Sequence, residues 1–311
     1  MSLFATFRRI LPAIALAASL LAGSGLFAQE GTVEATAVVT VVPKDGQQAA
    51  FLTPKDLKVT SNRKPATVTS WMPLRGDRAG LELIVLIDDS ARSRMAQQIP
   101  DIRQFIRGLP PQAQVGVAYM RNGQSVIFQN LTGDREAAAN ALRMPMGSAG
   151  SNASPYFCLS DLAKRWPSNN PDNRREVLMV TDGVDNYGGA RFDPENPYVL
   201  TAISDSQKAR LIVDSIYYRD SGDSRDASGG QDYLEMTAKG TGGKAYNQLT
   251  ITPVSFAPYL NDLHSRLMNQ YELGFMTESK GRAQLQEFKV KTTVPKTSLD
   301  APEKVLVGSR R

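Results

Sequence analysis

Cysteine and histidine are almost absent: Cys158 and His264 are the sole examples in 311 residues. A lone thiol cannot form an internal disulfide, so the fold must hold by its buried core. Cys158, Leu162 and Trp166 recur at i, i+4, i+8 spacing, which puts the thiol on the apolar face of a helix. His264 falls in a stretch with Phe256, Leu260, Leu263 and Leu267 at helical spacing, a boundary position on a helix. A Ser–His–Asp triad would need His264 to reach Ser90, and nothing in the pattern brings them together. An excess of one charge is lacking too. The 36 Lys and Arg face 31 Asp and Glu, and two of the basic residues, Arg8 and Arg9, belong to an N-terminal leader. No basic stripe is interleaved with aromatics, so nucleic acid is not an expected partner. No apolar run beyond residue 21 is long enough to cross a bilayer.

The leader is the first thing that is present. Arg8 and Arg9 precede the short apolar stretch Ile10 to Leu21, small residues Ala22 to Gly25 follow, and Ala28 is a cleavage edge. Residues 1–28 therefore read as a signal peptide, which implies a secreted or periplasmic protein with no membrane span after cleavage. The apolar stretch falls short of the ~18 residues that a retained anchor needs.

Behind the leader, residues 29–75 alternate apolar and polar positions, as in Val33, Ala35, Ala37, Val39 and Val41. This is a β region without a helix. From Leu81 the pattern changes to near-continuous apolar runs at 81–87, 176–181 and 211–217, the mark of parallel strands covered on both faces. Between them lie helical stretches at 95–109, 135–143, 157–166, 197–210, 231–239 and 255–269. Asn122-Gly123 is a hairpin signal between Val115–Met120 and Val126–Phe128. The expected fold is α/β: residues 76–270 form a doubly wound, mostly parallel sheet with one antiparallel hairpin strand. Strands within 271–294 are expected to pair with the N-terminal β region as a small accessory element. Residues 295–311 read as a mobile tail.

Two segments carry the chemistry. Leu83-Ile84-Val85-Leu86-Ile87-Asp88-Asp89-Ser90 ends a buried strand in an acid, with a hydroxyl two residues on. Val180-Thr181-Asp182-Gly183 ends another in the same way. In a doubly wound sheet Asp88 and Asp182 lie side by side at the carboxyl edge, where ligands of such sheets bind. Hard cations such as magnesium take several oxygen ligands.

This pair of motifs, over about residues 80 to 270, resembles the von Willebrand factor A domain and its metal-ion-dependent adhesion site. Gly242-Gly243-Lys244-Ala245-Tyr246 and Tyr271-Glu272-Leu273-Gly274-Phe275 are similar to a bacterial secreted subgroup of proteins related to that domain. The resemblance implies a Rossmann-like fold, magnesium held by Asp88, Ser90, Asp182 and a middle-loop hydroxyl, and a protein partner whose carboxylate completes the shell. Ser154 is the middle-loop candidate closest to the next helix, with Ser148 and Ser151 before it. The sequence departs from the family at Arg92, where a serine is expected.

The crevice therefore has two readings. In one, Asp88, Ser90, Ser154 and Asp182 hold magnesium. In the other, Arg92 pairs with Asp88 or Asp182 and the site is metal-free. The function expected is protein–protein recognition or adhesion outside the cytoplasm. The alternatives are a metal-dependent enzyme using the same acids, or a structural envelope protein. No general base stands near the acids, so catalysis is not the expected role. Gly240 to Gly243 reads as a turn and Asp220 to Gly230 as a solvated loop. Asp185 is either a supporting acid or an exposed one.

Overall fold

The computed structural model describes residues 31–44, 48–78, 80–91, 93–147, 154–188, 191–219, 227–247 and 254–308. The leader, Arg92, Ser148, Ser151 and residues 220–226 of the Asp-rich loop lie outside them.

The alternating N-terminal residues form β1 (Gly31–Pro43), β2 (Leu57–Ser61), β3 (Lys64–Ala66) and β4 (Val68–Pro73), with one turn of 3-10 helix at Pro54–Asp56. β5 (Leu81–Asp88) follows, buried at every position. Then come α1 (Ile99–Gly108), the hairpin of β6 (Ala113–Arg121) and β7 (Gln124–Thr132), α2 (Arg135–Asn140), α3 (Pro155–Lys164) and β8 (Arg174–Thr181). The rest of the α/β domain is α4 (Pro197–Ala209), β9 (Leu211–Tyr217), α5 (Ala227–Thr241), β10 (Ala245–Tyr246) and α6 (Ala257–Met268). The chain ends in β11 (Gln270–Ser279), β12 (Gln284–Thr292), β13 (Thr297–Asp300) and β14 (Lys304–Val307).

The central sheet runs β10-β9-β8-β5-β6-β7. β5 pairs parallel with β6 on one side and β8 on the other, β8 and β9 are parallel, and β7 is antiparallel to β6. Asn122 and Gly123 both have positive φ, as the two-residue hairpin turn requires. Apolar side chains leave the sheet on both faces because helices cover both. Val85 and Ile87 face Ile102 and Ile106 of α1 and Leu260 and Leu263 of α6. Ile84 and Leu86 face Leu159 of α3 and Val199 of α4. The chain moves outward from β5 through β6 and β7, then crosses back to β8. The order of winding reverses between β5 and β8, and that reversal opens a crevice at their carboxyl ends.

The terminal strands form two further four-stranded sheets, β13-β1-β11-β4 and β14-β12-β2-β3. β1 pairs with β11 across ten positions, Ala37 opposite Leu273. Val39, Leu273, Phe275 and Phe288 are buried between the two sheets. The accessory element is thus a sandwich and not a single small sheet.

The mobile tail expected over residues 295–311 is corrected by β13 and β14, which lie within it; residues 309–311 are outside the described residues. Val305 and Val307 alternate into the sandwich core at 4% and 1% exposure. Two four-residue strands are too short to stand out in polar sequence; β13 is held by the remote β1 and β14 by β12.

Candidate functional site

Asp88 is the last residue of β5 and Asp182 the first after β8. Parallel pairing in register, Ile87 opposite Val180, brings both acids to one edge. Asp88 is buried and its carboxylate is held from both sides. Oδ1 accepts from the Ser90 backbone N–H at 2.9 Å and from Ser90 Oγ at 2.7 Å. Oδ2 accepts from Thr181 Oγ1 at 3.0 Å. Thr181 precedes Asp182 and so links the two strands. Sequence reasoning gave it no role, although a threonine ending a buried strand beside an acid was the available signal.

Asp182 Oδ1 accepts from the Val184 N–H at 3.0 Å. Burial and the neighbouring charge of Asp88 push its carboxyl up to about 6, against the pull of Val184 N–H and the Arg219 guanidinium. Arg219 follows β9, so its cation joins the same edge. Gly183 has a φ of +69°, and a Cβ there would lie 2.4 Å from the Gly230 carbonyl. The Asp-Gly pair is therefore a steric requirement: only glycine lets the chain turn under α5.

Ser154 is fully buried at the N-cap of α3, where Oγ accepts from the Tyr156 N–H at 3.2 Å. The Tyr156 hydroxyl donates to the Gly183 carbonyl at 2.9 Å. The first turn of α3 thus abuts the Asp182-Gly183 turn. Asp88, Ser90 and Asp182 share the switch-point edge, and α3 reaches it through the Tyr156 hydroxyl, while Ser154 Oγ is committed to the helix cap.

The other candidates have structural settings. Asp185 is fully buried and accepts from the Tyr187 and Gly188 N–H groups and from Asn196 Nδ2 at 2.8 Å, pinning its loop to the start of α4. Burial, then the charge of Asp88, pushes the Cys158 thiol up to about 12, which leaves it inert at neutral pH. Gly243 packs against the Val213 carbonyl, where a Cβ would come within 2.1 Å, as befits a tight turn. His264 is half-buried on α6.

Sequence reasoning also missed the clamp beside the crevice. Asp89, 2% exposed, receives Arg143 through two bonds of 2.7 and 3.1 Å and the Met146 N–H at 2.9 Å. Arg121 reaches it at 3.4 Å. Despite its burial, these partners hold the Asp89 carboxyl below its ordinary range. The Arg143 guanidinium lies over the rings of Tyr119 and Phe128, at 4.0 and 4.4 Å from their centroids. A bidentate, ring-stacked arginine thus fastens residues 142–147 to the end of β5.

The donor chemistry of the edge fits a hard cation. It offers two carboxylates and the Ser90 and Thr181 hydroxyls, all oxygen. Burial, and then the charge of Asp88, raises the Asp182 carboxyl, and a bound dication would oppose both effects. Among the described residues no group of three or more His, Cys, Asp or Glu is arranged to hold a metal, so hydroxyl oxygens are needed to complete any set.

The winding order, the single antiparallel hairpin strand and the two acids at the reversal match the fold that resemblance to the von Willebrand factor A domain implies. No family model and no curated protein matches the chain. Among solved structures it is similar to an aerotolerance-related membrane protein from Bacteroides fragilis, at 18% identity over 60% of this chain and 98% of that one, with a TM-score of 0.42. It is similar to the conserved hypothetical protein BatB from Bacteroides thetaiotaomicron, at 16% identity over 60% and 97% of the two chains, with a TM-score of 0.43. A von Willebrand factor type A protein from Catenulispora acidiphila aligns at 12% identity over 88% and 73%, with a TM-score of 0.48.

Proposed function

We propose that the chain is an exported protein-recognition module of the von Willebrand factor A type, acting through the crevice between the ends of β5 and β8, and that its role is binding and not catalysis. The observation that carries the reading is the convergence of Asp88, Ser90 and Asp182 on one edge, tied by the Thr181 hydroxyl. In this reading Asp88, Ser90 and Asp182, with Ser154 from the start of α3, hold magnesium. An ion held there would supply positive charge to attract a partner's carboxylate. Asp88 orients the Ser90 hydroxyl, and the Gly183 turn presents Asp182 to the crevice.

A second reading has support in Arg219, whose cation already acts on Asp182. There the acids are balanced by guanidinium groups and the partner is recognised without metal. Calorimetric titration of the purified chain with magnesium and manganese separates the two. The metal-bearing reading expects binding that Asp182→Ala abolishes. Absence of binding in a folded wild-type chain would leave the metal-free reading.

A further inference from the structure

Ten large apolar side chains are exposed among the described residues, and four of them, Val126, Phe128, Met144 and Met146, belong to two adjoining segments. Those segments are the β6–β7 hairpin and the stretch that the Arg143 clamp fastens down. They touch where Arg143 lies on the Phe128 ring. Met146 is 78% exposed and Met144 50%. Scattered apolar residues need no explanation, but a concentration rimmed by charge marks an interaction surface. Methionine adds a flexible, adaptable contact.

Charge gives this surface its specificity. Two guanidinium groups, Arg143 and Arg121, converge on the single carboxylate of Asp89. Arg143 satisfies it with two short bonds and is largely covered. Arg121, at 3.4 Å, is the looser partner, and its side chain is 54% exposed. Two cations against one carboxylate leave a positive charge on the exposed Arg121, which shares Asp89 with the Met146 backbone N–H. Arginine beside apolar anchors is the composition of binding hot spots.

We propose that this patch docks a partner segment in which an acidic residue is flanked by apolar ones. The acid pairs with Arg121, and its apolar neighbours cover Phe128, Met144 and Met146. The patch borders the crevice, since Asp89 follows Asp88. The inference thus rests on the recognition role proposed above and assigns that role a partner chemistry. It requires no cation.

The test is selection of a random displayed-peptide library on the purified full chain, followed by binding measurements with one synthetic enriched peptide. The expected result is enrichment of sequences with Asp or Glu beside Leu, Ile, Phe or Met. Binding should weaken with salt and fall roughly tenfold in both Arg121→Gln and Met146→Ser. Both positions are exposed, and thermal melts verify that the variants are folded. Failure to enrich any sequence, or enrichment of sequences without acids, overturns the proposal. So does a peptide indifferent to both variants. In that last case, loss of binding in Ser90→Ala or Asp182→Ala keeps crevice recognition while this patch falls. Indifference to all four substitutions removes both.

Discussion

Replacing Asp182 by asparagine tests the electrostatics of the crevice most directly. The Asp182 carboxyl moves from an ordinary 3.8 to about 6, through burial first and the charge of Asp88 second. Its folded value lies above its unfolded value, so the ionised form destabilises the fold at pH values above about 6. The penalty disappears as pH falls towards 4, where the folded protein takes up the proton first. At about 1.4 kcal/mol per tenfold shift in proton affinity, and allowing for solvent at a partly exposed group, this amounts to roughly 2–3 kcal/mol at pH 8. Asparagine keeps an oxygen for the Val184 N–H and carries no charge. In chelator at pH 8, Asp182→Asn should therefore melt higher than wild type, by roughly 5–10 °C. Near pH 4 the two proteins should converge. Carboxylates held below their ordinary range, such as Asp89, Asp161 and Asp205, titrate alike in both proteins and cancel in the difference. Magnesium should raise the melting temperature of wild type but not of the variant. An Asp182→Asn protein no more stable than wild type at pH 8, or one whose advantage ignores pH, refutes the reasoning.

Arg143→Met leaves the buried Asp89 with the Met146 N–H and with Arg121, at 3.4 Å, as its one remaining cation, and should destabilise the chain by up to ~3–5 kcal/mol in denaturant titration. Conversely, the stabilisation that Arg143 gives Asp89 is present at neutral pH and should be lost as pH falls through the depressed Asp89 midpoint. Gly183→Ala forces a Cβ against the Gly230 carbonyl in a left-handed conformation, so chemical denaturation should show a loss of more than ~1 kcal/mol. Ending the chain at Pro295 removes β13 and β14, so it should lower the melting temperature and uncover the sandwich core to a hydrophobic dye. Unchanged melting would mean that those strands add nothing to the core.

The parallel strands were legible because burial on both faces leaves one signature, a near-continuous apolar run, at Leu81–Ile87, Glu176–Thr181 and Leu211–Tyr217, broken only by a few buried polar residues such as Glu82 and Asp214. The Asn122-Gly123 turn was legible because few residue pairs tolerate two positive φ values. The second hairpin turn uses Asn62 and Arg63, also at positive φ; the polar Ser61-Asn62-Arg63 stretch marks a corner, but arginine there does not disclose the turn type. Placing Asp88 beside Asp182 needed only the winding rule. The Asp89–Arg143 clamp could not be read, because the partners stand 54 positions apart and each looks like an ordinary surface charge. The same holds for Arg219, whose relation to Asp182 exists only once β8 and β9 lie in register. β13 and β14 escaped because four residues hold too few repeats of any period to rise above polar surroundings.

The sandwich couples the two ends of the chain. β1 finds its long partner only in β11, and the segment from Pro43 to Gln270 lies between them. At ~5–20 residues per second, a ribosome needs about 10–50 s to span that interval. Throughout it β1 leaves the ribosome with its main-chain groups unmatched, while the intervening α/β domain has all its own sheet partners. Folding order is then dictated by synthesis: the inserted domain can close first, and the sandwich must wait for the last strands. An incomplete chain keeps Ala35, Ala37, Val39 and Val41 uncovered, a ready template for other extended chains.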